Sequence, residues 1–218
     1  RLKEQLFIVE GDKIVSELLK SDFKIKNIYA TKEWAINNDS IIQISNACLQ
    51  RISNLKSPNK VLAIVQFKKH EIIKHDGITL VLDEINDPGN LGTIIRLCDW
   101  FGVKQLVCSK SSVDCFNPKV VQSAMGSLFR VPVIYTDLEE YLTKVDTPIY
   151  GAFMDGENVR NIKAPKSFHL ILGNEANGIS EEINNLVTDK VAIKNIGNSA
   201  ESLNIAVATS ILLHEFCN

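Results

Sequence analysis

No apolar run in this chain of 218 residues approaches the roughly 18 residues that cross a membrane, and no basic-then-apolar stretch of the secretory kind opens it. The expectation is a cytoplasmic protein. The five cysteines, Cys48, Cys98, Cys108, Cys115 and Cys217, are odd in number and form no CxxC pair. Three of them sit in apolar runs, where free thiols act as small hydrophobes. Neither a disulfide framework nor a metal centre is expected. Also missing are a GxGxxG with an acidic residue about 20 positions on and a GxxxxGK[ST] loop, which argues against dinucleotide-binding and P-loop enzymes. The net charge is only −2, so the strong basicity of many nucleic-acid proteins is absent as well. Arg1 rather than Met stands first, and a longer native N-terminal arm is compatible with that.

The charge that is present is unevenly placed. Residues 1–75 hold 13 Lys/Arg and 8 Asp/Glu, a balance of +5, whereas residues 76–218 hold 11 and 18, a balance of −7. Such asymmetry fits either a lysine-rich solvated surface or a half that meets a polyanion. Hydrophobic content of 45% with 23% charge is ordinary for a globular chain with one large or two small domains.

The first half alternates short elements. Strands are predicted at Leu6–Val9, Ile25–Ala30, Ile41–Ile44 and Val61–Phe67, and helices at Lys13–Leu19 and Ala47–Leu55, a small α/β domain over residues 1–67. Residues 68–77 are charged and end in Asp76-Gly77, which marks a linker whose His70 and His75 read as solvated. From residue 78 to 218 the rhythm is strand then helix. Strands fall at Ile78–Leu82, Gln105–Cys108, Val131–Tyr135, Ile149–Phe153, His169–Leu172 and Val191–Ile193. Helices fall at Leu91–Phe101, Lys119–Met125, Leu138–Val145, Ser180–Val187 and Glu201–Cys217. Near-continuous apolar strands between helices predict a parallel sheet covered on both faces.

Three segments break from strand into Gly, Asn, Ser and Glu, where a parallel sheet opens a ligand crevice at its strand ends. The first is Asp87-Pro88-Gly89-Asn90-Leu91-Gly92, continuing to Arg96. Asn90 is a natural helix N-cap, and Gly92 lets a ligand or a backbone approach closely. Taken alone, Arg96 would pair with Asp99 three residues on. The second, Gly173-Asn174-Glu175-Ala176-Asn177-Gly178, places a carboxylate on an open loop ahead of Ser180. The third runs from Ile193 to Asn204, with Asn198 or Ser199 at the cap of the last helix and Ser202 and Asn204 in its first turns. That helix is apolar on nearly every side, which suits a core or an interface.

In this order the three segments resemble the motifs of the SpoU/TrmH family of RNA ribose 2'-O-methyltransferases, and the resemblance spans nearly the whole chain. It implies a SPOUT fold, an α/β parallel sheet whose C-terminal segment forms a trefoil knot. Ahead of it, Phe7-Ile8-Val9-Glu10-Gly11 and the Ile52–Ile64 region resemble the family's L30e-like substrate-binding domain. The resemblance further implies S-adenosylmethionine as methyl donor, RNA as substrate and a homodimer. It implies catalytic roles for Asn90, Arg96, Glu175, Ser202 and Asn204, with Glu175, Ser202 and Asn204 holding the ribose and the Arg96 side chain. It places the cofactor among Leu172, Gly173, Ile193, Ile196, Ser202 and Leu203, with Gln122–Ser127 also reaching it. Lys194 stands where the family usually has proline, and Gly197 to Asn204 is one residue longer than the usual spacing. Lys13, Lys24, Lys26, Lys56 and Lys60 are the candidate RNA contacts. Ribosomal RNA is expected, because tRNA enzymes of this fold typically lack the L30e-like domain; a noncatalytic RNA-binding module is the rival of another class.

Overall fold

The computed structural model describes residues 1–34, 41–197 and 202–217. In its first part β1 (Leu6–Glu10), α1 (Asp12–Leu18), β2 (Ile25–Ala30), β3 (Ile41–Gln43), α2 (Asn46–Ile52) and β4 (Val61–Gln66) follow one another. They build a sheet of order β1-β4-β2-β3, parallel only between β2 and β3. Helix α2 stops at Ile52 rather than Leu55 for a polar reason. The buried carboxylate of Glu10 accepts from the Ser53 hydroxyl and from the Asn54 N–H, pulling the chain out of the helix.

The second part contains β5 (Ile78–Leu82), α3 (Pro88–Phe101), β6 (Gln105–Ser109), α4 (Pro118–Ala124), β7 (Val133–Thr136), α5 (Leu138–Leu142) and β8 (Ile149–Asn158). It ends with β9 (Phe168–Leu172), α6 (Glu181–Asn184), β10 (Asp189–Ala192) and α7 (Ile205–Cys217). Its sheet has the order β10-β8-β9-β5-β6-β7, and every neighbouring pair is parallel. The central strands β5 and β9 are buried along nearly their whole length, as their unbroken apolar runs require. Strand β8 continues past Phe153, where the sequence pattern ended it, and jumps register against β10: Gly151 pairs with Lys190, and the next pair is Glu157 with Val191.

The two sheets share one hydrophobic core. Phe7 and Phe67 each place a ring centroid 4.5 Å from that of Phe116, and Phe23 meets Phe129 edge-on at 5.3 Å. Polar ties reinforce this contact: the Gln122 amide donates to the Glu10 carbonyl at 3.0 Å, and Arg130 reaches Glu17 at 2.7 Å. The linker does not hang free: Lys68 pairs with Asp22 of the first part, and the end of the linker lies against the second sheet. The backbone of Ile73 exchanges two hydrogen bonds with the Gln105 amide, and the His75 ring bonds the Thr79 hydroxyl at 3.1 Å, so His75 is not the solvated histidine the sequence suggested.

Candidate active site

Beyond the C-terminal ends of β9 and β10, a cavity of about 440 Å³ opens between β8 and α7. Its size suits a small-molecule site. Leu172, Gly173, Ile193, Ile196, Ser202 and Leu203, predicted as cofactor contacts, all line it. Phe153 and Met154, on the register jump of β8, form a further wall that the sequence pattern missed. The wall is mainly apolar, with Glu175 and Ser202 among its polar groups. Lys194, the residue in place of proline, stands at this wall too.

The two glycines of the second segment have different causes: Gly178 takes a left-handed φ of 70°, whereas Gly173 faces a backbone at close range. A Cβ on Gly173 would lie 2.1 Å from the carbonyl carbon of Gly178, so only glycine lets the chain cross itself there. Asn174 and Gly178 then exchange backbone hydrogen bonds of 2.8 and 2.9 Å, closing a hairpin that carries Glu175 outward. Ser180 occupies the N-cap of α6, but its side chain makes no capping bond.

The first segment folds differently from expectation. Asp87, not Asn90, caps α3: its carboxylate accepts the Asn90 N–H at 2.7 Å, and Pro88 takes the first helical position. Aspartate followed by proline is a strong helix start. The Asn90 amide is therefore released for other contacts. Its Nδ2 donates to the Glu175 carboxylate, and its Oδ1 accepts from Asn204 Nδ2 at 3.0 Å. Asn204 in turn caps α7, its Oδ1 accepting the Ala206 N–H at 2.9 Å. The last helix thus begins at Ile205, with Ser202 and Asn204 ahead of it rather than in its first turns. The other expected caps, Asn198 and Ser199, lie outside the described residues.

Glu175, Asn90 and Asn204, from three distant parts of the chain, form one hydrogen-bonded chain at the cavity. Arg96 does not join it. The side chain is exposed on α3, about 9 Å along the axis from Asn90, and has no hydrogen bond or ion pair among the described residues. The expected grip of Glu175, Ser202 and Asn204 on Arg96 is accordingly not formed; Asn90 occupies Glu175 and Asn204. Nor does Arg96 pair with Asp99, which is held by Arg130 at 2.7 Å and by the Ser127 hydroxyl at 2.8 Å. Burial opposes the Asp99 charge, but these bonds outweigh it and keep the carboxyl below its usual range.

Gly92 packs against a backbone, not a ligand. A Cβ there would meet Ser123 Cβ at 2.4 Å and the Val120 carbonyl at 2.7 Å, so its absence lets α4 press onto α3. The Gln122–Ser127 segment belongs to that packing and is no part of the cavity wall. Lys13, Lys24, Lys26, Lys56 and Lys60 are all exposed. Lys24 and Lys60 stand at opposite ends of β2, roughly 20 Å apart along the strand. Among the described residues, no group of three or more His, Cys, Asp or Glu is placed to hold a metal, and no helix is long and apolar enough to cross a membrane.

The chain resembles known proteins over nearly its full length. The 23S rRNA (guanosine(2553)-2'-O)-methyltransferase RlmP of Bacillus subtilis is 31% identical over 223 residues, covering 98% of this chain and 89% of that protein. A TrmH-family structure from Porphyromonas gingivalis superposes with a TM-score of 0.91 at 35% identity, covering 99% of this chain and 91% of that one. An AdoMet-bound rRNA methyltransferase from Sinorhizobium meliloti gives 0.89 at 26% identity, covering 99% and 88%. Residues 1–63 match the MRM3-like substrate binding domain. With residues 77–214 matching the SpoU rRNA Methylase family, the chain belongs to that family.

Proposed function

We propose that this protein methylates a ribose 2'-hydroxyl of ribosomal RNA, with S-adenosylmethionine as methyl donor. The observation that carries the reading is the convergence of Asn90, Glu175 and Asn204 beside a cavity of cofactor size. The names of the relatives support ribosomal over transfer RNA. The residues present fit the donor: an apolar wall from Leu172, Ile193, Ile196 and Leu203 for its adenine, with Gly173 and Ser202 offering polar contacts. Bound there, S-adenosylmethionine supplies an electrophilic methyl group on a sulfonium. The protein must then present the ribose oxygen and ease loss of its proton to solvent water. A guanidinium keeps its proton in water and offers no free lone pair to accept another, so Arg96 acts as a clamp on the adjacent phosphate and stabilises the forming alkoxide. Its exposure, with no hydrogen bond or ion pair among the described residues, leaves it available to RNA. Glu175 and Asn204, locked through Asn90, orient the ribose, and positioning supplies much of the rate.

Residues 1–67 serve as the L30e-like RNA-docking domain in this reading. The C-terminal segment forms the family's trefoil knot, and the protein works as a homodimer in the cytoplasm. The dimer is supported by the outer surface of α3 and α7, where Trp100 is 84% exposed and Val207 47%; large apolar side chains so placed suit an interface. The test is transfer of labelled methyl to rRNA, with 2'-O-methyl marks mapped in RNA from cells with and without the gene. Transfer to tRNA alone would favour the tRNA enzyme of the same fold. No calorimetric binding of S-adenosylmethionine would favour a noncatalytic RNA-binding module.

A further inference from the structure

We propose that Asp83 and Asn174 are positioning residues for methyl transfer, setting Glu175 in register with Asn90. The inference rests on the reading of Glu175 given above. Glu175 rides on a hairpin closed by a single backbone pair, Asn174 with Gly178, too short to hold a direction of its own. Two side chains anchor it at either end. The Asp83 carboxylate, only 4% exposed, accepts the Ser180 N–H at 2.8 Å, and Asn174 Nδ2 donates to the Glu84 carbonyl at 2.8 Å. Both anchors land on one dipeptide, Asp83-Glu84, which runs directly into the Asp87 cap and so into Asn90.

That dipeptide is itself held under strain. Glu84 has a φ of 57°, a left-handed conformation costly for a side-chain-bearing residue and kept only where surroundings enforce it. The Ser109 hydroxyl accepts its N–H at 2.9 Å, and Asn174 occupies its carbonyl. The same turn therefore sets both partners of the Glu175–Asn90 hydrogen bond. The asparagine is chemically matched to its double role, since its Oδ1 also accepts from Ala176 N–H at 2.8 Å and Asn177 N–H at 3.2 Å.

Asn174→Asp tests this cleanly. It keeps the Oδ1 acceptor that shapes the turn and replaces the donor with a charged oxygen facing the Glu84 carbonyl. The single-turnover rate with saturating S-adenosylmethionine and RNA should fall by about tenfold or more, with both dissociation constants within about threefold of wild type. Lowering the pH should narrow the gap to wild type, because a protonated carboxyl regains the donor. Asp83→Ala should show the same split, and Asp83→Asn, which retains an acceptor, should recover most of the rate. A wild-type rate in Asn174→Asp, or Asp83→Asn as slow as Asp83→Ala, overturns the proposal. So does a loss of rate matched by both dissociation constants. Glu175→Gln separates the two levels: full activity there removes the reading of Glu175 itself, whereas an inactive Glu175→Gln beside a normal Asn174→Asp removes only the positioning role.

Discussion

Gly173→Ala should cripple methyl transfer through geometry alone. The added Cβ would sit 2.1 Å from the Gly178 carbonyl carbon and 2.2 Å from the Ile179 nitrogen, whereas ordinary contact begins at 3.4 Å. The obstacle is backbone on both counts, so no side chain can swing aside, and the two strands of the hairpin must part by about 1.3 Å. Glu175 moves with them and leaves Asn90. A misplacement near 1 Å costs about 10²-fold in rate, equivalent to nearly 3 kcal/mol of transition-state stabilisation. Overpacking of this kind also lowers stability by about 1–3 kcal/mol. The assay is single-turnover transfer of labelled methyl at saturating S-adenosylmethionine, since residue 173 also lines the cavity and weaker cofactor binding must be saturated out. A rate within threefold of wild type, with an unchanged melting temperature, would refute the steric reasoning.

Arg96→Ala should reduce methyl transfer by about 10²- to 10³-fold while S-adenosylmethionine affinity, measured by calorimetry, stays within a few-fold; Arg96→Lys should not restore it, because a point charge lacks the planar fork. Replacing Lys24, Lys26 and Lys60 together by Glu should weaken RNA binding and flatten its log–log salt dependence by roughly 0.7–0.9 for each phosphate no longer neutralised, and an unchanged slope in filter binding would exclude these lysines as phosphate ligands. His169 should make the fold acid-sensitive: burial first, and the nearby His75 second, lower its pKa from 6.5 to about 4. The unfolded chain then takes up a proton that the native state refuses, so stability present above pH 6.5 is lost as pH falls towards 4, by up to about 3 kcal/mol. Denaturant titrations of His169→Gln should show a shallower loss over that window, and identical slopes would contradict the assignment.

The parallel sheet was legible because its central strands are unbroken apolar runs, and Ile78–Leu82 emerges with the bounds the pattern gave. The helix starts were less so. Asn90 and Asp87 are both good caps by residue type, and only the proline at position 88 distinguishes them, by favouring the residue before it. For α7 the cap is Asn204, a residue whose motif pointed to chemistry rather than to capping. The lining of the cavity could be named through family resemblance, but the bonds that tie Asn90 to Glu175 and Asn204 span 85 and 114 positions. No local pattern encodes contacts of that range. The aromatic seam between the sheets was missed for the same reason: Phe7, Phe67 and Phe116 each look like ordinary core residues of their own segment.

That seam changes how the two halves can cooperate. A first domain on a free linker would deliver RNA to the neighbourhood of the site but could not orient it. Here the Glu10 carbonyl grips Gln122 on α4, and Phe7 packs on Phe116 just ahead of that helix. Helix α4 is in turn pressed onto α3 at Gly92, where no Cβ intervenes. Helix α3 carries Asn90 near one end and exposes Arg96 further along. Each step is a packed or hydrogen-bonded contact rather than a hinge, so on the proposed reading, RNA bound by the lysines of the first domain would sit at a fixed offset from Arg96. Burying aromatic side chains is worth about 1.5–3 kcal/mol each, which makes the seam costly to open. The separation of Lys24 and Lys60 would then be useful under that proposal, because two phosphate contacts roughly 20 Å apart on a rigid body would fix the direction of an RNA backbone, which a compact patch could only attract.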